Sequence, residues 1–146
     1  MSRHLDLQAE FRTEVTVAFS FLFEEAGFTH PVTTESQLFS GTGLLFRGAG
    51  LDVEVQLYDG REPEVVTRLE VVGPDGARVR RAALDELYVA AGCGPPQDVP
   101  GQAPNRRSTL KRVGQHATAL RRLMSRLPGS ELSQLIIRHT ALRREQ

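Results

Sequence analysis

The hydrophobic positions of this chain change period twice, and the changes mark out its elements. Over residues 5–26, Leu7, Phe11, Val15, Phe19 (with Ala18), Leu22 and Ala26 recur at three- and four-residue steps. That spacing places them on one stripe of an amphipathic helix. Phe21 and Phe23 widen the stripe, so burial on more than one side is expected, and Gly27 supplies a left-handed stop. From Gly43 to about Arg80 the period falls to two. Leu51, Val53, Val55 and Leu57 alternate with Asp52, Glu54 and Gln56, and Val65, Thr67, Leu69 and Val71 alternate with Val66, Arg68, Glu70 and Val72. Gly48-Ala49-Gly50, Asp59–Pro63 and Gly73-Pro74-Asp75-Gly76 read as turns. The result is a meander of three strands, with a fourth available from Glu35–Phe39 or Arg78–Arg80.

Faces dictate the register. Opposing Leu57 with Val65, Val55 with Thr67 and Val53 with Leu69 keeps the apolar residues together, and a one-residue slip would turn them into water. The same register sets Glu54 against Arg68 and Asp52 against Glu70. On the other side of that strand, Phe46 meets Val53, Leu44 meets Val55 and Arg47 meets Asp52. Opposite charges directly across strands add a few tenths of a kcal/mol, up to about 1.

Residues 82–91 read as a short helix with Leu84, Leu87 and Tyr88 inward. Residues 92–105 hold four prolines and three glycines, which exclude a regular element; loops of this length are functional or linkers. After it, Ser108 is positioned to cap a helix bearing Leu110, Val113, Ala117, Leu120, Met124 and Leu127, a heptad-like seam. Pro128-Gly129 breaks that helix. Ser130 is positioned to cap the next, with Leu132, Leu135, Ile136, His139 and Leu142 on its stripe, so the pair is expected to fold as an antiparallel hairpin. The fold class is α+β in one domain over 1–146: an acidic α/β layer (1–91), the Pro/Gly loop (92–105) and a basic helical hairpin (106–146).

Charge sharpens that division. The net charge is zero, yet residues 1–105 carry eight Arg against sixteen Asp and Glu, a balance of −8. Residues 106–146 carry nine Arg and Lys111 against two acids, a balance of +8. Such asymmetry points to a charged partner, or to halves that hold each other. Seventeen of the eighteen basic residues are Arg, which follows first from GC-rich coding and second from bidentate recognition of phosphate or carboxylate. The single Cys93 excludes an internal disulfide and fits a reducing, cytoplasmic setting. The N-terminus lacks the apolar core of a secretory signal, and no apolar run is long enough to span a membrane.

Three constellations carry candidate chemistry. Asp52, Glu54 and Glu70 on the outward sheet face, with Asp59, Glu62 and Glu64 at the hairpin tip, form an acidic surface suited to steering a cationic partner protein. Ordinary solvation of an exposed face explains the same residues. Arg107, Lys111, Arg112, Arg122 and Arg126 offer a phosphate-binding face, although this region has no aromatic residue for stacking and no helix-turn-helix signature. The third is Asp52 beside Glu70 as an acid/base couple, which Arg47 and Arg68 would neutralise. None of His4, His30, His116 and His139 has metal-ligand spacing, and with one cysteine a Cys/His zinc site is excluded. His139 reads as a core residue. Cys93, between glycines, reads as mobile and exposed, without a base beside it. Gly41-Thr42-Gly43 lacks the rest of a phosphate loop. No cofactor and no catalytic residue is expected.

The segment Phe21-Leu22-Phe23-Glu24-Glu25-Ala26-Gly27-Phe28, the hairpin Val53-x-Val55-x-Leu57-Tyr58-Asp59 with Glu64-Val65, and Leu84-Asp85-Glu86-Leu87 ahead of the C-terminal helices resemble small bacterial immunity proteins that neutralise polymorphic toxins. The Pro/Gly loop and the basic C-terminus lie outside that pattern. The resemblance implies a non-enzymatic cytosolic protein that binds a basic toxin through an acidic surface. Two other expectations stand beside it: a nucleic-acid-associated protein using the Arg helices, and a homo-oligomeric module pairing through the Leu110–Leu127 seam.

Overall fold

A computed structural model describes residues 3–35 and 40–145. The single helix expected over 5–26 is two: α1 (Arg3–Ala18) and a one-turn α2 (Phe21–Glu24). Between them the ladder tightens to three-residue spacing, with Leu22 N–H on Phe19 O and Phe23 N–H on Ser20 O. The break lets one aromatic run face the core twice, as Phe19, Phe21 and Leu22 are all buried and Phe23 packs against them. Gly27 then turns the chain at φ 81°, and Phe28 N–H bonds back to Leu22 O.

The sheet has five antiparallel strands in sequence order: β1 (Val32–Thr34), β2 (Gly41–Arg47), β3 (Leu51–Tyr58), β4 (Glu64–Val72) and β5 (Arg78–Ala83). Every expected pairing is present: Leu57 with Val65, Val55 with Thr67, Val53 with Leu69, Glu54 with Arg68, Asp52 with Glu70, Phe46 with Val53, Leu44 with Val55 and Arg47 with Asp52. The Arg78–Arg80 option becomes β5 and runs on through Ala82 and Ala83, so α3 starts later than expected (Leu84–Ala90). β1 is an addition. The Glu35–Phe39 option falls, after Glu35, outside the described residues.

One face of the sheet carries the core. Phe46, Val53, Val55, Leu57 and Leu69 are completely buried there beneath Phe11, Val15 and Phe19 of the first helices. Each such side chain contributes roughly 1.5–3 kcal/mol by leaving water. Residues 92–105 are part of this body. They form a 3-10 turn (Pro96–Asp98) and then pair with β4 where β5 stops short. Val65 N–H bonds Gly101 O at 2.8 Å, and Ala103 N–H bonds Pro63 O at 2.9 Å. Val99 and Ala103 are buried by this arrangement.

α4 (Arg106–Arg126) begins differently from the sequence expectation. Asn105 is the N-cap, and Ser108 sits at the third helical position, where its backbone N–H bonds Asn105 Oδ1 and its hydroxyl pairs with the Asn105 backbone. The helix buries Thr109, Val113, His116, Ala117, Ala119, Leu120 and Leu123, while Leu110, Met124 and Leu127 are half-buried at the margin. α4 lies against α1, α3 and β4, whereas α5 (Ser130–Glu145) lies against β5, β4 and α3. The expected antiparallel hairpin therefore does not form. A sheet of five strands leaves apolar surface over β4 and β5 that a self-contained helix pair would not cover, and Leu132 and Ile136 of α5 enter that core instead. The heptad-like seam is likewise used within the chain, at Val113, Ala117 and Leu120.

Candidate functional site

The helix-free face of the sheet gathers the acids that alternation placed outward, and the structure divides them into two groups. Asp52, Glu54 and Glu70 line one shallow depression with Arg68, Arg78 and Arg81, three carboxylates among three guanidiniums. Arg78 Nε lies 3.3 Å from Glu70 Oε1. Arg68, expected to neutralise Glu54 and Glu70, instead donates to Gln56 Oε1 and to the Tyr58 hydroxyl (2.8 Å), with its guanidinium 5.6 Å from the Tyr58 ring centre. This polar layer is so well packed that Asp52 and Gln56 are 9% and 6% exposed. Asp59, Glu62 and Glu64 lie apart, at the β3–β4 end. Glu62 and Glu64 are exposed there, and Asp59 Oδ2 accepts from Gln8 Nε2 at 3.3 Å.

The basic candidates are also dispersed. Lys111 and Arg122 share one polar groove with Tyr88, Gln97, Asp98, Gln115 and Thr118. Arg126 follows one turn on, beside Gly92. Arg112 turns away, donating to Gln102 O (2.8 Å) and Gln115 Oε1 (2.9 Å), and Arg107 is exposed. Arg122 Nη1 donates to the Tyr88 hydroxyl at 2.9 Å, and that hydroxyl donates to Asp98 Oδ2 at 2.8 Å. Burial first, then the bond to Asp98, raises the Tyr88 pKa against the opposing pull of Arg122. Among the described residues, the arginine ion pairs of the C-terminal helices all run to the acidic part of the chain: Arg106 to Glu10, Arg121 to Glu25 and Arg122 to Asp98. The Arg106 hydrogen bond holds Glu10 below the ordinary carboxylate range, and the same bond raises Arg106.

One histidine is not where the sequence placed it. His139 is a half-buried partner of Glu86 (2.9 Å) rather than a core residue. His116 is the core histidine, 3% exposed. Its Nε2–H donates to Pro100 O at 2.7 Å, because a carbonyl only accepts, so Nδ1 accepts from the Thr67 hydroxyl at 2.9 Å. Burial lowers its pKa, partly opposed by the Pro100 carbonyl and by Asp85. Cys93 is half-buried against the core with its N–H on Tyr88 O, and so is not the exposed thiol its flanking glycines suggest. Among the described residues, no three His, Cys, Asp or Glu side chains are placed to hold a metal ion.

A further concavity lies elsewhere. A cavity of about 650 Å³ opens where the α4–α5 turn passes the end of α2 and the β2–β3 turn. Phe21, Phe28, Leu51, Met124, Leu127 and Leu132 form its apolar walls, with Ser125, Ser130 and Ser133 among them. Glu25 and Arg121, bonded to one another at 3.1 Å and both well exposed, stand at its mouth. Sequence reasoning missed this site. The available signal was the pair Met124 and Leu127, apolar positions at the end of a seam that α5 does not cover. No family model matches the chain, and neither a curated protein nor a solved structure matches it.

Proposed function

We propose that this chain is a non-enzymatic binding protein whose ligand site is the cavity at the α4–α5 turn. The observation that carries this reading is the cavity's form: about 650 Å³, with apolar walls and a set of polar groups made of three serines and one ion pair. Small-molecule sites span roughly 300–1,000 Å³ with such linings. Its walls are rooted in the core, since Phe21, Leu51 and Leu132 are 7%, 8% and 1% exposed, so the site is formed in advance of a ligand. The polar groups lining it are hydroxyls and one ion pair, without a histidine or cysteine beside the serines to activate a nucleophile. Titration with the apolar fluorophore N-phenyl-1-naphthylamine tests the site. Saturable binding at one molecule per chain is expected, and Ser133→Phe, which fills the cavity, abolishes it while the circular dichroism spectrum is retained. Binding that is absent, or indifferent to Ser133→Phe, overturns the reading.

A second reading keeps the immunity-type role, a cytoplasmic protein neutralising a cationic partner protein. Glu62 and Glu64 favour it, because both are exposed at the β3–β4 end, outside the depression in which arginines stand beside Asp52, Glu54 and Glu70. Co-purification with the product of an adjacent toxin-like gene is its test, with loss of the complex in a Glu62→Lys/Glu64→Lys variant. A complex indifferent to both charge reversals removes the tip from consideration.

A further inference from the structure

We propose that the cavity takes an anionic amphiphile, an apolar tail ending in a carboxylate, with Arg121 holding the head group. This rests on the ligand-site reading above and assigns the chemistry of its occupant.

Arg121 is set up for that task before any ligand arrives. Its guanidinium lies over the Phe21 ring at 5.3 Å, so one side is fixed by stacking. Glu25 Oε1 and Oε2 both accept from Nη2, at 3.2 and 3.1 Å. Nε and Nη1 make no hydrogen bond among the described residues, so each keeps an N–H for a second carboxylate, which takes one of them singly beside Glu25 or takes a two-point edge by displacing Glu25 from Nη2. Glu25 thus shows within the chain which functional group this position accepts. The pair is more than half exposed on both sides, 58% and 59%, so it adds little to stability and shifts at little cost when a head group binds.

The remainder of the lining favours the same orientation. Ser125 lies one turn along α4 from Arg121, and Ser130 and Ser133 belong to the first turn of α5; all three offer hydroxyl donors suited to a carboxylate. The first turn of α5 also brings its positive end to that wall. Behind these groups the walls are apolar, and Met124 is flexible enough to follow a tail. A cationic head would meet Arg121 and would have to part Glu25 from it, and a neutral head would leave the free N–H groups of Nε and Nη1 without a charged acceptor.

Isothermal titration of the intact chain with dodecanoate, dodecanol and dodecyltrimethylammonium, each below its micelle concentration, tests the assignment. Dodecanoate is expected to bind at one per chain, about tenfold or more tighter than dodecanol, as a charge-assisted hydrogen bond provides, and dodecyltrimethylammonium weakest. Arg121→Gln is expected to bring dodecanoate to the affinity of dodecanol and leave dodecanol unchanged, with a matching thermal melt to show that the fold is intact. Glu25→Gln, which removes the competing carboxylate, is expected to tighten dodecanoate. If the three compounds bind equally and Arg121→Gln changes nothing, the head-group assignment is overturned while the cavity stands as an apolar site. If no dodecyl compound binds, the ligand-site reading itself falls.

Discussion

Replacing His116 by leucine tests how the long loop is fastened to the body of the protein. The imidazole joins three elements, taking a hydrogen bond from Thr67 of β4 and giving one to the Pro100 carbonyl of the loop while itself part of α4. In His116→Leu both bonds vanish, and the Thr67 hydroxyl, on a residue 2% exposed, has no water to replace them. A buried polar group left unsatisfied costs about 1–3 kcal/mol, so the two together put the loss at about 2–5 kcal/mol. That is a large share of the roughly 5–15 kcal/mol that holds a typical domain folded. Adding Thr67→Val removes one of the two orphans, so the double variant is expected to regain about 1 kcal/mol over His116→Leu. The same histidine gives stability a pH dependence of known sign. Its folded pKa lies below the ordinary 6.5 because burial disfavours the cation. As pH falls below 6.5 the unfolded chain takes up a proton that the native chain refuses. The stabilisation is complete above that value and drains away, at up to about 1.4 kcal/mol per pH unit, until the folded pKa is reached. Urea unfolding followed by circular dichroism at pH 5.5, 6.5 and 7.5, at fixed ionic strength, measures both effects. The gap between wild type and His116→Leu should narrow as pH falls. A cost under about 1 kcal/mol, or a gap that stays constant across that range, refutes the reasoning.

Other perturbations separate the remaining parts of the structure. Asn105→Ala removes the side-chain half of the cap and should cost about 1 kcal/mol, within a range of roughly 0.5–2, by thermal or urea unfolding; a cost indistinguishable from zero would mean that Ser108 suffices. Phe46→Ala, at a fully buried position touching Phe19 and Phe23, should cost about 3–5 kcal/mol in the same assay. Gly41→Ala should destabilise more than Gly27→Ala. At Gly41 a Cβ would run into the Leu57 backbone carbonyl, whereas at Gly27 it meets open space and only the positive φ costs, about 1 kcal/mol; equal losses in paired melts would contradict that geometry. Fluorescence anisotropy with mixed-sequence DNA and RNA at low salt should show no binding, because Arg122 is paired with Asp98 and Arg112 is turned onto Gln102 and Gln115, which breaks up the candidate phosphate-binding face. Binding that falls steeply between low and physiological salt would reinstate the phosphate-binding face.

The central strands were legible down to individual residue pairs, because alternation leaves only one register that keeps Val53, Val55, Leu57 and Leu69 together. β1 was not, since three residues after a proline carry too few positions to show a period. In the first helix, Phe19, Phe21, Leu22 and Phe23 fit a continuous stripe as well as a broken one, and only the shape of the core decides between them. The C-terminal helices show the same limit at a larger scale. A stripe on α4 says that something covers it, but not whether α5 or α1 does. Of the candidate residues, chain order correctly set Asp52, Glu54 and Glu70 among arginines, yet Arg78 and Arg81 come from a strand whose full extent was not evident. The cavity was hidden for a related reason: its walls come from segments distant in sequence, and nothing in any one of them says that the others lie beside it.

The packing of α1 against α4 sets an order of events during synthesis. Every strand of the sheet pairs with its neighbour in the chain, so the meander can close progressively as residues leave the ribosome. The first helix cannot finish the same way, because its partner surface lies at residues 106–126, made after the whole meander. Until that stretch emerges, the nascent chain holds an amphipathic helix with part of its apolar surface uncovered, the kind of exposure that recruits chaperones or promotes aggregation. Released chains that end before residue 106 should therefore aggregate more readily, by light scattering, than chains that extend past residue 126.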